Sequence, residues 1–154
     1  MKTEQKIAKL LKQKHKTISI AESCTGGLIC HKLTNIPGSS RYFKLGIVAY
    51  SNQAKINLLN ISENLIKTKG AVSKEACLLM AKNIRKIAKT DFGMAITGIA
   101  GPTGATATKP VGLVYIALAI AEKSIVKKFN FKGRRLSIKS LAAESALKLL
   151  EKML

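Results

Sequence analysis

The feature that most constrains the fold is an alternation along the chain. Short apolar, β-branched runs are followed by glycine- or serine-marked turns, and then by segments whose apolar residues recur at helical spacing. Lys6 to Gln13 carries Ile7, Leu10 and Leu11 on one helical face. Thr17–Ala21 reads as a strand, and Thr25-Gly26-Gly27 opens a helix to about Leu33 that Asn35-Ile36-Pro37-Gly38 closes. Gly46–Tyr50 reads as the next strand, with Ser51 capping a short helix that holds Ala54, Lys55 and Leu58. Ser73 caps a helix over Ala76–Ala88. Phe92–Ile96, Val111–Ile120 and Ser124–Phe131 read as strands, and Leu136 to the C-terminus as a closing helix.

Buried-type strands alternating with helices predict an α/β fold, a three-layer α/β/α sandwich with a mixed, mostly parallel sheet. The tight connection at Glu122-Lys123 predicts an antiparallel hairpin between the last two strands. Residues 1–154 are expected to form one domain, since that length closes a single core without disulfides or metals.

Composition narrows the setting. Cys24, Cys30 and Cys77 are odd in number and form no C-x-x-C pair, and with only His15 and His31 they supply no four-ligand zinc site. The N-terminal segment has lysines at helical spacing and no long apolar run, and Val111–Ala121 is too short to cross a bilayer. A soluble, cytoplasmic protein with reduced thiols and no membrane partner is expected. The net charge of +19 raises a nucleic-acid or acidic partner. Yet the charge is spread along the chain, and all but four of the 27 basic residues are lysine. Arginine suits bidentate recognition of bases or phosphates better, so a lysine-rich solubilising surface is the primary reading and nucleic acid the secondary one.

Ligand sites in open α/β sheets gather at the carboxyl ends of strands. Three segments would meet there: Ala21 to Gly27, Tyr50 to Lys55, and Thr97 to Pro102. Asp91 is the only aspartate, His15 lies in a lysine-rich helix end and His31 reads as solvated. A Ser–His–Asp arrangement therefore has poor material, and a metal hydrolase less. What remains is a serine or cysteine at a strand-to-helix turn, Ser23 or Cys24, activated by a lysine. Taken singly, Ser23 reads as a turn residue and Lys55 as a solvated helix lysine.

Five blocks occur in order: TISIAESCTGGLI, IPGSSRYFKLGIVAYSNQAK, GAVSKEA, AITGIAGPTGAT and KPVGLVYIA. Together they closely resemble the CinA C-terminal, or nicotinamide-nucleotide amidase, family, over about Ile7 to Leu149. The family also occurs fused behind a larger N-terminal domain, which is not expected here.

The resemblance implies hydrolysis of nicotinamide mononucleotide to nicotinic acid mononucleotide and ammonia, with no cofactor and no metal. It implies a homodimer or larger homo-oligomer. Carried over, the nucleophile falls on Ser23, the tyrosine on Tyr50 and the lysine on Lys55; Tyr50 is expected to hold Lys55 and Ser23 in register, with base and proton shuttle unassigned between Tyr50 and Lys55. Thr25 and Gly26 after Ser23, Thr97, Gly98 and Gly101 in the glycine-rich loop, and Ser39 in PGSS fall on expected substrate-binding turns. Amides after Ser23 or in the Gly98–Gly101 loop are expected to hold the oxyanion. Arg135 stands for the first of two family arginines. Arg134 replaces the usual aspartate and Lys139 the second arginine, which opens the alternative of a non-catalytic nucleotide-binding module, while the basic surface keeps open a nucleic-acid-associated one.

Overall fold

A computed structural model describes residues 1–154. Its elements run α1 (Thr3–Gln13), β1 (Ile18–Glu22), α2 (Leu28–Thr34), β2 (Phe43–Val48), α3 (Asn52–Leu59), α4 (Glu63–Lys69), α5 (Lys74–Ala88), β3 (Phe92–Gly98), β4 (Leu113–Ala119), β5 (Ser124–Asn130) and α6 (Arg135–Met153). The five strands form one sheet in the order β2-β1-β3-β4-β5. β1 pairs in parallel with β2 and β3, whereas β4 is antiparallel to both its neighbours. Four strands thus share one direction, although the pairings divide evenly between parallel and antiparallel.

The two sheet faces differ in side-chain size, and the pleat sorts them. Ile18, Ile20, Met94, Ile96, Val114 and Ile116 pack against α1, α2 and α6 in the larger core. The opposite face carries Ala21, Ala95, Ala117 and Ala119 and receives α5 through Cys77, Met80, Ala81 and Ile84. Small residues let that helix approach closely. A Cβ at Gly93 would stand 2.2 Å from the Ala81 carbonyl oxygen. Helices on both faces make this the expected three-layer sandwich, and no helix is long and apolar enough to cross a membrane.

Ser51 and Ser73 cap α3 and α5 as read from the sequence, accepting from the Ala54 and Ala76 amides at 3.0 and 3.1 Å. Two elements differ. β2 begins at Phe43 and ends at Val48, so Ala49, which is buried, and Tyr50, which is exposed, lie beyond it. Helix α4 is not legible in the sequence, because its seven residues hold only Leu65 and Ile66 as an apolar signal.

Candidate active site

The carboxyl ends of β1, β2 and β3 open onto a cleft of about 300 Å³. β5 runs in the same direction, so the chain leaving it delivers the start of α6, with Arg135, to the same rim.

Ser23 follows the last residue of β1, in a turn organised by its neighbour Glu22, to which the sequence analysis assigns no role. Glu22 is fully buried. Its carboxylate accepts from the Thr25 hydroxyl at 2.6 Å and from the Ile29 and Cys30 amides at 3.1 and 2.9 Å. Those amides belong to the first turn of α2, where donors lack helical partners and a negative charge is favoured. Gly26 and Gly27 carry φ of +62° and +99°, and a side chain there would strain the turn. The signal that could have found Glu22 is a lone acid between a buried strand and a helix start.

Lys55, which reads in isolation as solvated, is 2 % exposed. Its Nζ lies 2.9 Å from Ser23 Oγ, 2.8 Å from the Ala49 carbonyl and 3.3 Å from the Tyr50 carbonyl. It takes part in no ion pair. Burial lowers its pKa from the ordinary lysine value, and the neighbouring Cys24 opposes that only if ionised.

Tyr50 corrects an expectation. Its side chain is 57 % exposed, and its hydroxyl accepts from Arg135 Nη2 at 2.8 Å. Only its main-chain carbonyl reaches Lys55, so the phenol does not hold Lys55 and Ser23 in register here. Arg135 also donates from Nη1 to the Gly101 carbonyl at 2.7 Å, bridging the mouth of the cleft.

Thr97, Gly98 and Gly101 line the cleft. The Thr97 hydroxyl is committed to the Ala71 carbonyl at 3.0 Å. Gly98 is glycine because β4 lies against it, a Cβ there standing 2.6 Å from Val114 Cγ2. Gly101 has φ of +76° and packs on Val111. Thr25 and Gly26 lie outside the lining: the Thr25 side chain is buried on Glu22, and Gly26 is exposed near Lys139. Ser39 lies in a 3₁₀ turn before β2, and the adjoining Tyr42 carbonyl accepts from the amide of Ile18, the first residue of β1. That is the far end of the sheet, a full strand length from Ser23. Parallel pairing of β1 and β2 puts the segment before β2 and the segment after β1 at opposite ends.

Cys24 also lines the cleft, but burial pushes its thiol up to about 12, with the Glu22 charge adding and its own amide, Lys55 and Lys139 opposing. Asp91 serves structure at the far end of the sheet, accepting from the Thr17 amide at 2.9 Å and pairing with Lys16 at 3.1 Å.

The CinA C-terminal domain model matches residues 1–154. The chain is 46% identical over 151 residues to a competence-damage inducible protein of Thermoanaerobacter pseudethanolicus, covering 98% of this chain and 37% of that one. It is 47% identical over 148 residues to a CinA-like protein of Geotalea uraniireducens, covering 96% and 35%. The chain thus spans little more than a third of the length of these relatives. Among solved structures it is similar to a competence/damage inducible protein from Agrobacterium tumefaciens, with TM-score 0.95 and 35% identity, covering 98% of this chain and 93% of that one. A competence-damaged (CinA) superfamily protein from Escherichia coli superposes with TM-score 0.93 and 29% identity, covering 99% and 91%.

Proposed function

The chain belongs to the CinA C-terminal domain family, and from that premise we propose that it is an amidohydrolase that converts nicotinamide mononucleotide to nicotinic acid mononucleotide and ammonia. The observation that carries this reading is the buried contact between Lys55 and Ser23.

A carboxamide is a weak electrophile, so its hydrolysis needs an activated nucleophile and a held oxyanion. A neutral lysine amine has two hydrogens and one lone pair. The Ala49 and Tyr50 carbonyls accept the two hydrogens, which leaves the lone pair facing Ser23. Ser23 then gives its proton to Lys55 as Oγ attacks the amide carbon. The Lys55 ammonium returns that proton to the departing nitrogen, releasing ammonia and an acyl-serine ester. Water, deprotonated by Lys55, cleaves the ester and restores Ser23. In this reading Lys55 is both base and acid, and the Tyr50–Arg135 pair serves the substrate at the cleft mouth.

The Cys24 and Thr25 amides donate to no backbone carbonyl, and we assign the oxyanion to this turn. The α2 amides are unsuited because Glu22 holds them.

The test is ammonia release from nicotinamide mononucleotide by purified protein in the presence of EDTA. Turnover in EDTA is expected, since Ser23 and Lys55 supply nucleophile and base. Nucleotide binding without ammonia would replace this reading by a non-catalytic binding module.

A further inference from the structure

The 99–112 connection between β3 and β4 is closed at its base by Ile99 N–H donating to the Leu113 carbonyl at 2.9 Å and Gly112 N–H donating to the Ile99 carbonyl at 2.7 Å. Its near arm, Ile99 to Gly104, lines the cleft, and the residues from Pro102 to Thr108 are exposed. At Lys109 the loop meets the body again. The Thr106 amide donates to the Lys109 carbonyl at 2.8 Å, and the Lys109 amide to the Thr106 hydroxyl at 3.1 Å. From this locked turn Lys109 Nζ donates to the carbonyl of Lys69 at 2.6 Å.

Lys69 ends α4, where carbonyls lack helical partners and the helix dipole favours a cation. The next residue is shaped for the same contact. A Cβ at Gly70 would stand 2.6 Å from Lys109 Nζ, and its φ of +85° already disfavours a side chain. Ala71 and Val72 follow directly and line the cleft, held by the Thr97 hydroxyl on Ala71 and by Ser73, which donates back to the Gly70 carbonyl at 2.8 Å. One wall of the cleft therefore begins two residues after the carbonyl that Lys109 grips, and another belongs to the loop that carries Lys109.

We propose that Lys109 is a positioning residue of the site, a charged clasp that joins the 99–112 loop to the end of α4 and sets the spacing of the two walls that enclose the nucleotide. Arg135 is its counterpart, gripping the near arm at Gly101 while Lys109 grips the far arm. The nucleotide rests on the amidase reading above; the clasp does not.

Lys109→Met keeps the length of the side chain without the donor, and Lys109→Arg keeps a charged donor. Hydrogen exchange is read at residues 70–73 and 99–109 in the unliganded protein, and KM and kcat are measured with nicotinamide mononucleotide. If wild type turns nothing over, the Kd of the same nucleotide replaces KM. Lys109→Met is expected to speed exchange in both segments and raise KM about tenfold, the scale of one charge-assisted hydrogen bond, with kcat within about twofold. Lys109→Arg is expected to restore both. Unchanged exchange in Lys109→Met overturns the clasp, whatever the activity. Faster exchange with an unchanged KM or Kd overturns the positioning role. A wild type that binds the nucleotide without releasing ammonia fails the amidase reading alone, and one that does not bind it overturns the positioning role as well.

Discussion

Lys55 Nζ stands 2.9 Å from Ser23 Oγ although 32 positions separate the two residues in the chain. Backbone pairing closes that gap. β1 and β2 run in parallel with Glu22 opposite Val48, and the Ala49 amide donates to the Glu22 carbonyl at 2.9 Å. The chain entering α3 therefore leaves the sheet beside the turn that carries Ser23. The three polar contacts that define the amine, to Ser23, Ala49 and Tyr50, all come from this one junction.

The first prediction concerns pH. Burial disfavours the Lys55 ammonium, so the neutral base grows in as pH rises through a pKa lowered from the ordinary lysine value. kcat/KM is expected to climb with pH and level off below about pH 10.4, the unperturbed lysine midpoint. The same shift adds stability as pH rises from the folded pKa toward the unfolded one, because across that window the unfolded chain holds the proton and the folded one does not. A rate that falls as pH rises would remove Lys55 as the base. Lys55→Met is expected to lower kcat at least about a thousandfold while circular dichroism reports a folded protein.

Ser23 and Cys24 are neighbours with opposite expected fates. Ser23→Ala removes the hydroxyl beside the lysine and is expected to lower kcat by at least about a thousandfold. Cys24→Ser is expected to keep most activity, and alkylation at neutral pH to be slow, because the thiol titrates only at about 12. An inactive Cys24→Ser beside an active Ser23→Ala would reverse the assignment.

Arg135 bridges Tyr50 and Gly101 at the cleft mouth, and in the amidase reading its guanidinium is the cation offered to the substrate phosphate. Arg135→Met is expected to raise KM for nicotinamide mononucleotide about tenfold or more, on the scale of a lost charged hydrogen bond. KM for the riboside lacking the phosphate is expected to change far less. Equal losses for both substrates would assign Arg135 to the shape of the cleft and not to the phosphate.

Glu22 gives a prediction about stability. Glu22→Ala strips the acceptor from one buried hydroxyl and two helix amides, and is expected to destabilise the fold by about 3 kcal/mol. The measurement is the urea midpoint, with exposed Glu75→Ala as the control expected to change it little. Comparable midpoints for the two variants would mean that Glu22 does not organise the Ser23 turn.

The sequence by itself determined the three-layer plan, the terminal hairpin and the caps at Ser51 and Ser73. These follow from apolar period and turn chemistry, which act between residues close in the chain. It also carried the resemblance that singled out Ser23, Tyr50, Lys55 and the Thr97–Gly101 loop. Only the tertiary structure decided that Lys55 is buried with its amine on Ser23, that the Tyr50 phenol turns to Arg135, and that Ser39 lies at the far end of the sheet. The roles of Glu22, Lys109 and the wall at Ala71 and Val72 likewise exist only in the assembled fold. A lysine in a helix reads alike whether water or a serine faces it. Its proton affinity depends on which carbonyls and apolar atoms replace its solvent, and those come from segments that meet only when the sheet is assembled.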